Sequence, residues 1–288
     1  MNDLQDALLA WARTHGRQFA FRETADPYRV LVAETMAQQT QVARIVPALE
    51  AFLTRFPSVE ALAEASVADV LVAWRGLGYN RRALNLQRAA RAVVAEHGGR
   101  FPHETAALER LPGVGPYTAR AIAVFAFGQR LGPVDTNVRR VLTRVAGRTM
   151  PARELQARSD ELAAPDPRAW INALMDLGAT VCKPARPDCP ACPLTAWCLA
   201  RGSQAPVGER RRRTTRPGPP TPFSASTRWL RGRILDRVRD AAADDWATFD
   251  EALGSHPPAA VEAMLGVLAR EGLLECHPTS AALARLPR

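Results

Sequence analysis

Four of the five cysteines in this 288-residue chain fall within one stretch of seventeen residues, CKPARPDCPACPLTAWC. They stand at Cys182, Cys189, Cys192 and Cys198, a C-x6-C-x2-C-x5-C spacing. A stretch so dense in thiols takes its shape from what the thiols hold. The opening MNDLQDALLAWARTHGRQ reads as an amphipathic helix with early acidic residues, not as a basic region followed by an apolar one, so no signal peptide is expected. No run of 18 apolar residues occurs, so no membrane span is expected either. The reading is of a cytoplasmic protein, in which such cysteines are metal ligands more often than a disulfide framework.

Charge points to the partner. The formal net charge is +9 and Lys183 is the only lysine, so nearly all of the positive charge is arginine. A basic chain of ordinary globular composition, 47% hydrophobic and 23% charged, favours a polyanion, and nucleic acid is the first candidate. The plain alternative is a solubilising charge.

Most of the first 200 residues read as helices, with no convincing period-two strands. In SVADVLVAWRGLG, Ser66 and Asp69 form a capping box, Val70, Leu71 and Trp74 an apolar stripe, and Gly76 a stop. In PRAWINALMDLGATVC, Trp170, Leu174 and Leu177 share a face. Residues 201–222, rich in Pro and Gly and holding the Arg210–Arg213 run, read as a basic linker. Residues 223–288 read as short helices and a strand, a small winged-helix-like module. Within it TFDEAL carries a second capping box, Thr248 with Glu251.

Three further segments carry chemistry. In LERLPGVGPYTARAIAVFAFG a short helix leads into a turn at residues 111–115, and a second helix opens at Pro116. Gly113 and Gly115 allow a tight turn, and the N–H groups there, with that of Val114, can grip a phosphate. The alternative is a simple helix connection. In VDTNVRRVLTRV, Asp135 reads as an N-cap whose anion the helix terminus favours; a fixed anion also suits a reaction passing through a cation. In DPYRVLVAETMAQQTQVARIV, Glu34 sits among apolar residues, with Leu31, Gln38 and Gln41 near the same helical face. A carboxyl in such company can act as a proton donor; the alternative is a solvated glutamate.

AETMAQQTQV, GLGYNRRALNL, LPGVGPYTA, VDTNVRRV and the cysteine loop stand in an order that resembles the helix-hairpin-helix DNA glycosylase superfamily, and most closely its MutY-type adenine DNA glycosylases. The resemblance covers roughly residues 10–200. It implies an all-α fold of two subdomains with an iron–sulfur loop, residues 1–200 forming the glycosylase domain. It further implies a [4Fe–4S] cluster on Cys182, Cys189, Cys192 and Cys198. A four-cysteine zinc site is the competitor, but zinc sites usually show two close pairs and only Cys189 and Cys192 form one. Lys183 and Arg186 then approach the DNA backbone.

The same resemblance assigns the reaction. A base inside a duplex must be flipped out, and Gln38 and Tyr79 match the positions that wedge into the gap, flanked by Gln39 and Thr40. Asn80 stands where a second tyrosine is commoner, and Arg81 and Arg82 become backbone contacts. Glu34 protonates the purine and later helps activate water. Asp135 stabilises the sugar cation, and Tyr117 and Asn137 support the same centre. Where a related branch keeps a lysine that forms a Schiff base and cuts the strand, this chain has Tyr117, and arginine cannot substitute for that lysine. A monofunctional glycosylase is therefore expected, removing adenine opposite 8-oxoguanine or guanine in base excision repair. It would act as a monomer on double-stranded DNA and, in a bacterial cell, meet the nucleoid only through that DNA.

Two features differ from the family pattern. Phe21 stands where a tryptophan is usual, and residues 223–288 are too few for the Nudix-like domain that reads 8-oxoguanine. A thymine or uracil glycosylase acting on mismatches with guanine is the alternative enzyme, and a non-catalytic iron–sulfur DNA-binding protein the alternative from another class. The retention of both Glu34 and Asp135 speaks against the latter. Cys276 reads as an unpaired thiol.

Overall fold

A computed structural model of the chain describes residues 3–40, 42–163, 165–202, 222–241 and 245–288. Gln41 and the Arg210–Arg213 run lie outside the described residues. In chain order the helices are α1 (Asp3–His15), α2 (Pro27–Ala37), α3 (Val42–Arg55), α4 (Val59–Glu64), α5 (Val67–Ala73), α6 (Arg81–His97), α7 (Thr105–Leu108), α8 (Pro116–Phe125), α9 (Thr136–Val145), α10 (Ala152–Glu161), α11 (Pro167–Thr180), α12 (Thr227–Asp240) and α13 (Pro258–Arg270). The strands are β1 (Ala247–Thr248), β2 (Glu275–His277) and β3 (Ser280–Arg285). Packing divides the chain into two compact units.

The first unit takes the described residues of Met1–Glu34, Pro102–Arg110 and Val114–Thr215. Its centre is α11, whose Trp170, Ile171, Leu174 and Leu177 are fully buried, as the apolar spacing predicts. Helices α9 and α11 touch so closely at Gly178 that an added Cβ there would lie 2.6 Å from Cβ of Asn137, so only glycine fits. Asp176, in the same apolar face, is buried and gathers Arg17 (N–H at 2.8 Å, Nε at 2.7 Å) and Arg22 (Nη1 at 2.9 Å, Nη2 at 3.0 Å). Burial raises its pKa, but the two arginines outweigh that and hold the carboxyl below its usual range. The pair ties the segment after α1 to α11, and losing both arginine side chains would strand a buried charge.

The second unit takes Thr35–Phe101, Leu111–Gly113 and the described residues of Arg216–Arg288. Ser66 caps α5 by accepting from the Asp69 N–H at 3.0 Å. Asp69 does not complete a box; its carboxylate pairs with Arg55 instead. The stripe Val70, Leu71 and Trp74 is fully buried. Gln87, also buried, donates to the Ala65 carbonyl at 2.6 Å, and Arg91 Nη2 reaches the same oxygen at 3.3 Å, so the carbonyl end of α4 is satisfied.

The C-terminal residues of this unit form a winged-helix-like module in the order helix, strand, helix, hairpin, with a sheet of order β1-β3-β2. Both pairings are antiparallel, Thr248 facing Leu283 and Cys276 facing Ala284. The expected capping box at Thr248 is thereby corrected: Thr248 belongs to a strand. Ala247 and Phe249 are buried while Thr248 between them is exposed, and the Phe249 N–H bonds the Ala282 carbonyl at 2.7 Å. A two-residue apolar alternation paired to β3 outweighs a local cap with no helix to start.

Candidate active site and cysteine loop

Helix α2 delivers Glu34 from a run in which Val30, Leu31, Val32, Ala33 and Met36 are all buried. The solvated alternative does not hold. Residue 34 keeps partial access to solvent, but its carboxyl lies deep in protein. Burial pushes the Glu34 pKa up to about 7. The Tyr117 hydroxyl, which donates to the carboxyl, pulls it down; the negative charge of Asp135 raises it; Arg22 lowers it again. Burial wins because no cation pairs with it directly.

Tyr117 occupies the first turn of α8, behind Pro116, whose missing N–H costs nothing at a helix start. Burial and then the Glu34 and Asp135 charges hold its hydroxyl well above the usual range, so it acts only as a neutral donor. Asp135 caps α9 as expected: its Oδ1 accepts from the Val138 N–H at 2.6 Å. Its Oδ2 accepts from Asn137 Nδ2 at 3.0 Å. The structure thus brings Glu34, Tyr117, Asp135 and Asn137 together within the first unit.

Two arginines that the sequence reading passed over complete this centre. Arg140 donates to Asn137 Oδ1 at 2.7 Å and to the Cys182 carbonyl at 2.7 Å. Arg144 donates to Cys182 Sγ at 3.3 Å and to the carbonyls of Lys183 and Pro184, each at 2.8 Å. Asn137, Arg140 and Arg144 recur at helical spacing on one face of α9, the signal that would have found them.

The four thiols line one cavity together with Arg144, Asp188 and Thr195. Burial pushes the Cys192 thiol up to about 11, and the neighbouring Cys182, Cys198 and Cys189 add to that; backbone N–H groups of Leu194 and Ala200 point at Cys192 and Cys198. Thiols that repel one another's ionisation, ringed by N–H donors and an arginine, suit a multinuclear cationic cluster. Among the described residues, no group of three or more His, Cys, Asp or Glu side chains is arranged to hold a single metal ion. Lys183 and Arg186 are both exposed.

The residues expected to touch DNA fall on three turns. Gly113 has φ 77°, and a Cβ there would lie 2.6 Å from Cβ of Asn85, so conformation and space both demand glycine. Gly115, the N-cap of α8, faces open space. Val114 buries its side chain, leaving only its backbone to offer.

The helical face expected to run from Leu31 to Gln41 stops short, because α2 ends at Ala37; Gln38, exposed Gln39 (φ 58°) and Thr40 form a turn. Tyr79 is exposed, with φ 47°. Arg81 is exposed, but Arg82 is not a surface contact. Its guanidinium points inward onto the carbonyls of Thr35 (2.7 Å), Met36 (3.2 Å), Leu77 (3.0 Å) and Gly78 (3.2 Å). It closes the carbonyl end of α2 and ties the Gln38 turn to the Tyr79 loop.

The HhH-GPD superfamily base excision DNA repair protein family matches residues 32–165. The chain is 41% identical over 254 residues to the adenine DNA glycosylase of Mycobacterium tuberculosis, covering 81% of this chain and 78% of the relative. It is 37% identical to that of Mycolicibacterium smegmatis, over 93% and 91% of the two chains. Among solved structures, a thermostable thymine-DNA glycosylase is similar at TM-score 0.65 and 29% identity, covering 68% of this chain and 93% of that one. A non-covalent endonuclease III–DNA complex shares the fold at TM-score 0.59 and 22% identity, over 69% and 96%. Among the described residues no helix is long and apolar enough to cross a membrane. Helices α7 and α8 with the Gly113 turn between them, and relatives matched over most of their length, place this chain in the HhH-GPD superfamily of base excision DNA repair glycosylases, in the adenine DNA glycosylase family.

Proposed function

We propose that this protein, as a monomer, removes adenine mispaired with 8-oxoguanine or guanine from duplex DNA, by hydrolysis alone. The observation that carries the reading is the Glu34 carboxyl, held near half-protonation at neutral pH beside Tyr117 and Asp135. Protonated Glu34 donates its proton to N7 of the flipped adenine. The C1′–N9 bond breaks and its electron pair leaves with the base. Asp135, kept in place by the Val138 N–H and Asn137, offers negative charge to the electron-poor sugar. The Glu34 carboxylate then takes a proton from water as the water oxygen bonds C1′. The products are adenine, an abasic site and a re-protonated Glu34. Gln38, Gln39, Thr40 and Tyr79 hold the gap, with Arg81 and the backbone of Gly113, Val114 and Gly115 on phosphates.

Single-turnover assays on A:8-oxoguanine, A:G, T:G and U:G duplexes test this. Adenine release is expected, leaving an intact strand that breaks only after alkali, and borohydride should trap no side-chain adduct. The likeness to a thymine-DNA glycosylase supports the competing reading. Thymine or uracil release with adenine untouched would establish it, and efficient trapping would overturn hydrolysis alone.

We also assign a [4Fe–4S] cluster to the four loop cysteines. When bound, it supplies a rigid cationic core that orders the loop presenting Lys183 and Arg186 to DNA. Anaerobically purified protein should contain about four irons per chain with matching sulfide. Zinc without iron, in protein made with ample iron, would refute the assignment.

A further inference from the structure

We infer that the C-terminal module is a brace for the loop that carries Tyr79, and that Asn80 and Arg228 are the positioning residues through which it acts. The inference rests on the proposed role of Tyr79 as the side chain that enters the duplex. Tyr79 needs such support. Its φ of 47° is a conformation that a bulky residue without a β-carbon exemption rarely keeps, and nearly half of its surface is exposed. Something outside the residue itself must hold it.

The contacts that do so come from α12, within the same compact unit. Arg239 donates Nη2 to Asn80 Oδ1 at 2.7 Å and Nε to the Leu71 carbonyl at 3.0 Å. Its side chain is only 4% exposed, with Asp236 beside it. Arg75, at the start of the loop, pairs with Asp240 at 2.5 Å. Arg228 lies over the Tyr79 ring, 4.9 Å from its centroid, while Arg82 lies 5.6 Å from the same centroid. The loop is therefore pinned at Arg75, at Asn80 and on the tyrosine ring itself.

Asn80 now has a physical reason. It precedes α6 in the N-cap position but with helical backbone angles and no cap bond, which leaves its side-chain oxygen for Arg239. A tyrosine there would offer no amide oxygen to a buried guanidinium. The module thus holds the side chain meant for the gap in a ready orientation, so that less ordering remains when DNA binds.

The test separates prying bases apart from everything else. Single-turnover excision is measured on adenine opposite 8-oxoguanine and on adenine opposite an abasic-site analogue, where no opposing base has to be held. Asn80→Ala and Arg228→Ala should each slow the first by about tenfold and the second by less than about threefold. Asn80→Asp, which keeps an acceptor for Arg239, should restore near wild-type rates on both. In the DNA-free protein, hydrogen exchange of amides 75–80 should quicken in Asn80→Ala, with α9 unchanged. Equal losses on both duplexes, or unchanged exchange in the loop, would overturn the brace. If the wild-type protein releases adenine from neither duplex, the functional reading has failed. Loop exchange then judges the brace alone: faster in Asn80→Ala upholds it, unchanged removes it.

Discussion

Glu34→Gln lowers single-turnover excision of adenine by at least about a hundredfold, and at the same time makes the folded protein more stable above pH 7. The first effect follows from loss of the proposed proton donor; an amide cannot protonate the leaving base. The second follows from what burial does to the carboxyl. Its folded pKa is raised from the ordinary 4.5 to about 7. Between those values the native state keeps a proton that the unfolded chain has released, so stability falls as pH rises through this window and stays low above it. Glutamine carries no such penalty. At roughly 1.4 kcal/mol per pH unit the relief is at most about 3.5 kcal/mol, worth several degrees in Tm at pH 8 and little at pH 4. Thermal melts at both pH values together with excision rates check it. Wild-type excision by the variant would remove Glu34 from the chemistry, and unchanged Tm at pH 8 would contradict its burial. For the wild-type enzyme, the chemical step should slow as pH rises through about 7, as the acid form of Glu34 disappears.

Asp135→Asn costs about a hundredfold or more in the same assay while leaving DNA affinity and stability near wild type. Asparagine is as good an N-cap as aspartate, and its Oδ1 can still accept from the Val138 N–H, so α9 keeps its start and only the bond from Asn137 is given up. What disappears is the negative charge beside the sugar as its glycosidic bond breaks. Because the fold is spared, the loss appears in the rate of the chemical step and not in binding. Rates close to wild type would show that Asp135 serves only as a cap. A matching collapse of Tm would show that the loss is structural.

Both predictions use residues that were legible before any coordinates, and the reason is locality. Asp135 announces itself as a cap because an N-cap is decided by a carboxylate and an N–H three residues apart. The Gly113 turn, the Ser66 cap and the buried stripes of α5 and α11 were readable on the same terms, since backbone preference and helical period act over one or two turns. The cysteine spacing is local in the same way, and the fold sets all four thiols on one cavity.

The chain alone could not say how Glu34 is protonated. Its surroundings include Tyr117 and Asp135, far along the sequence, and desolvation is a property of the closed fold. It could not say that Arg82 turns inward to collect carbonyls while its neighbour Arg81 faces solvent, because a guanidinium goes to whichever acceptors the packing leaves unsatisfied. It misread Thr248, whose local cap signal was overruled by pairing with a strand more than thirty residues later. It showed Asn80 only as an oddity, and Arg239 from the far end of the chain supplies the explanation. Hydrogen bonding between neighbours is written in the sequence. Burial, and the partner that a buried polar group must find, are decided only when distant segments meet.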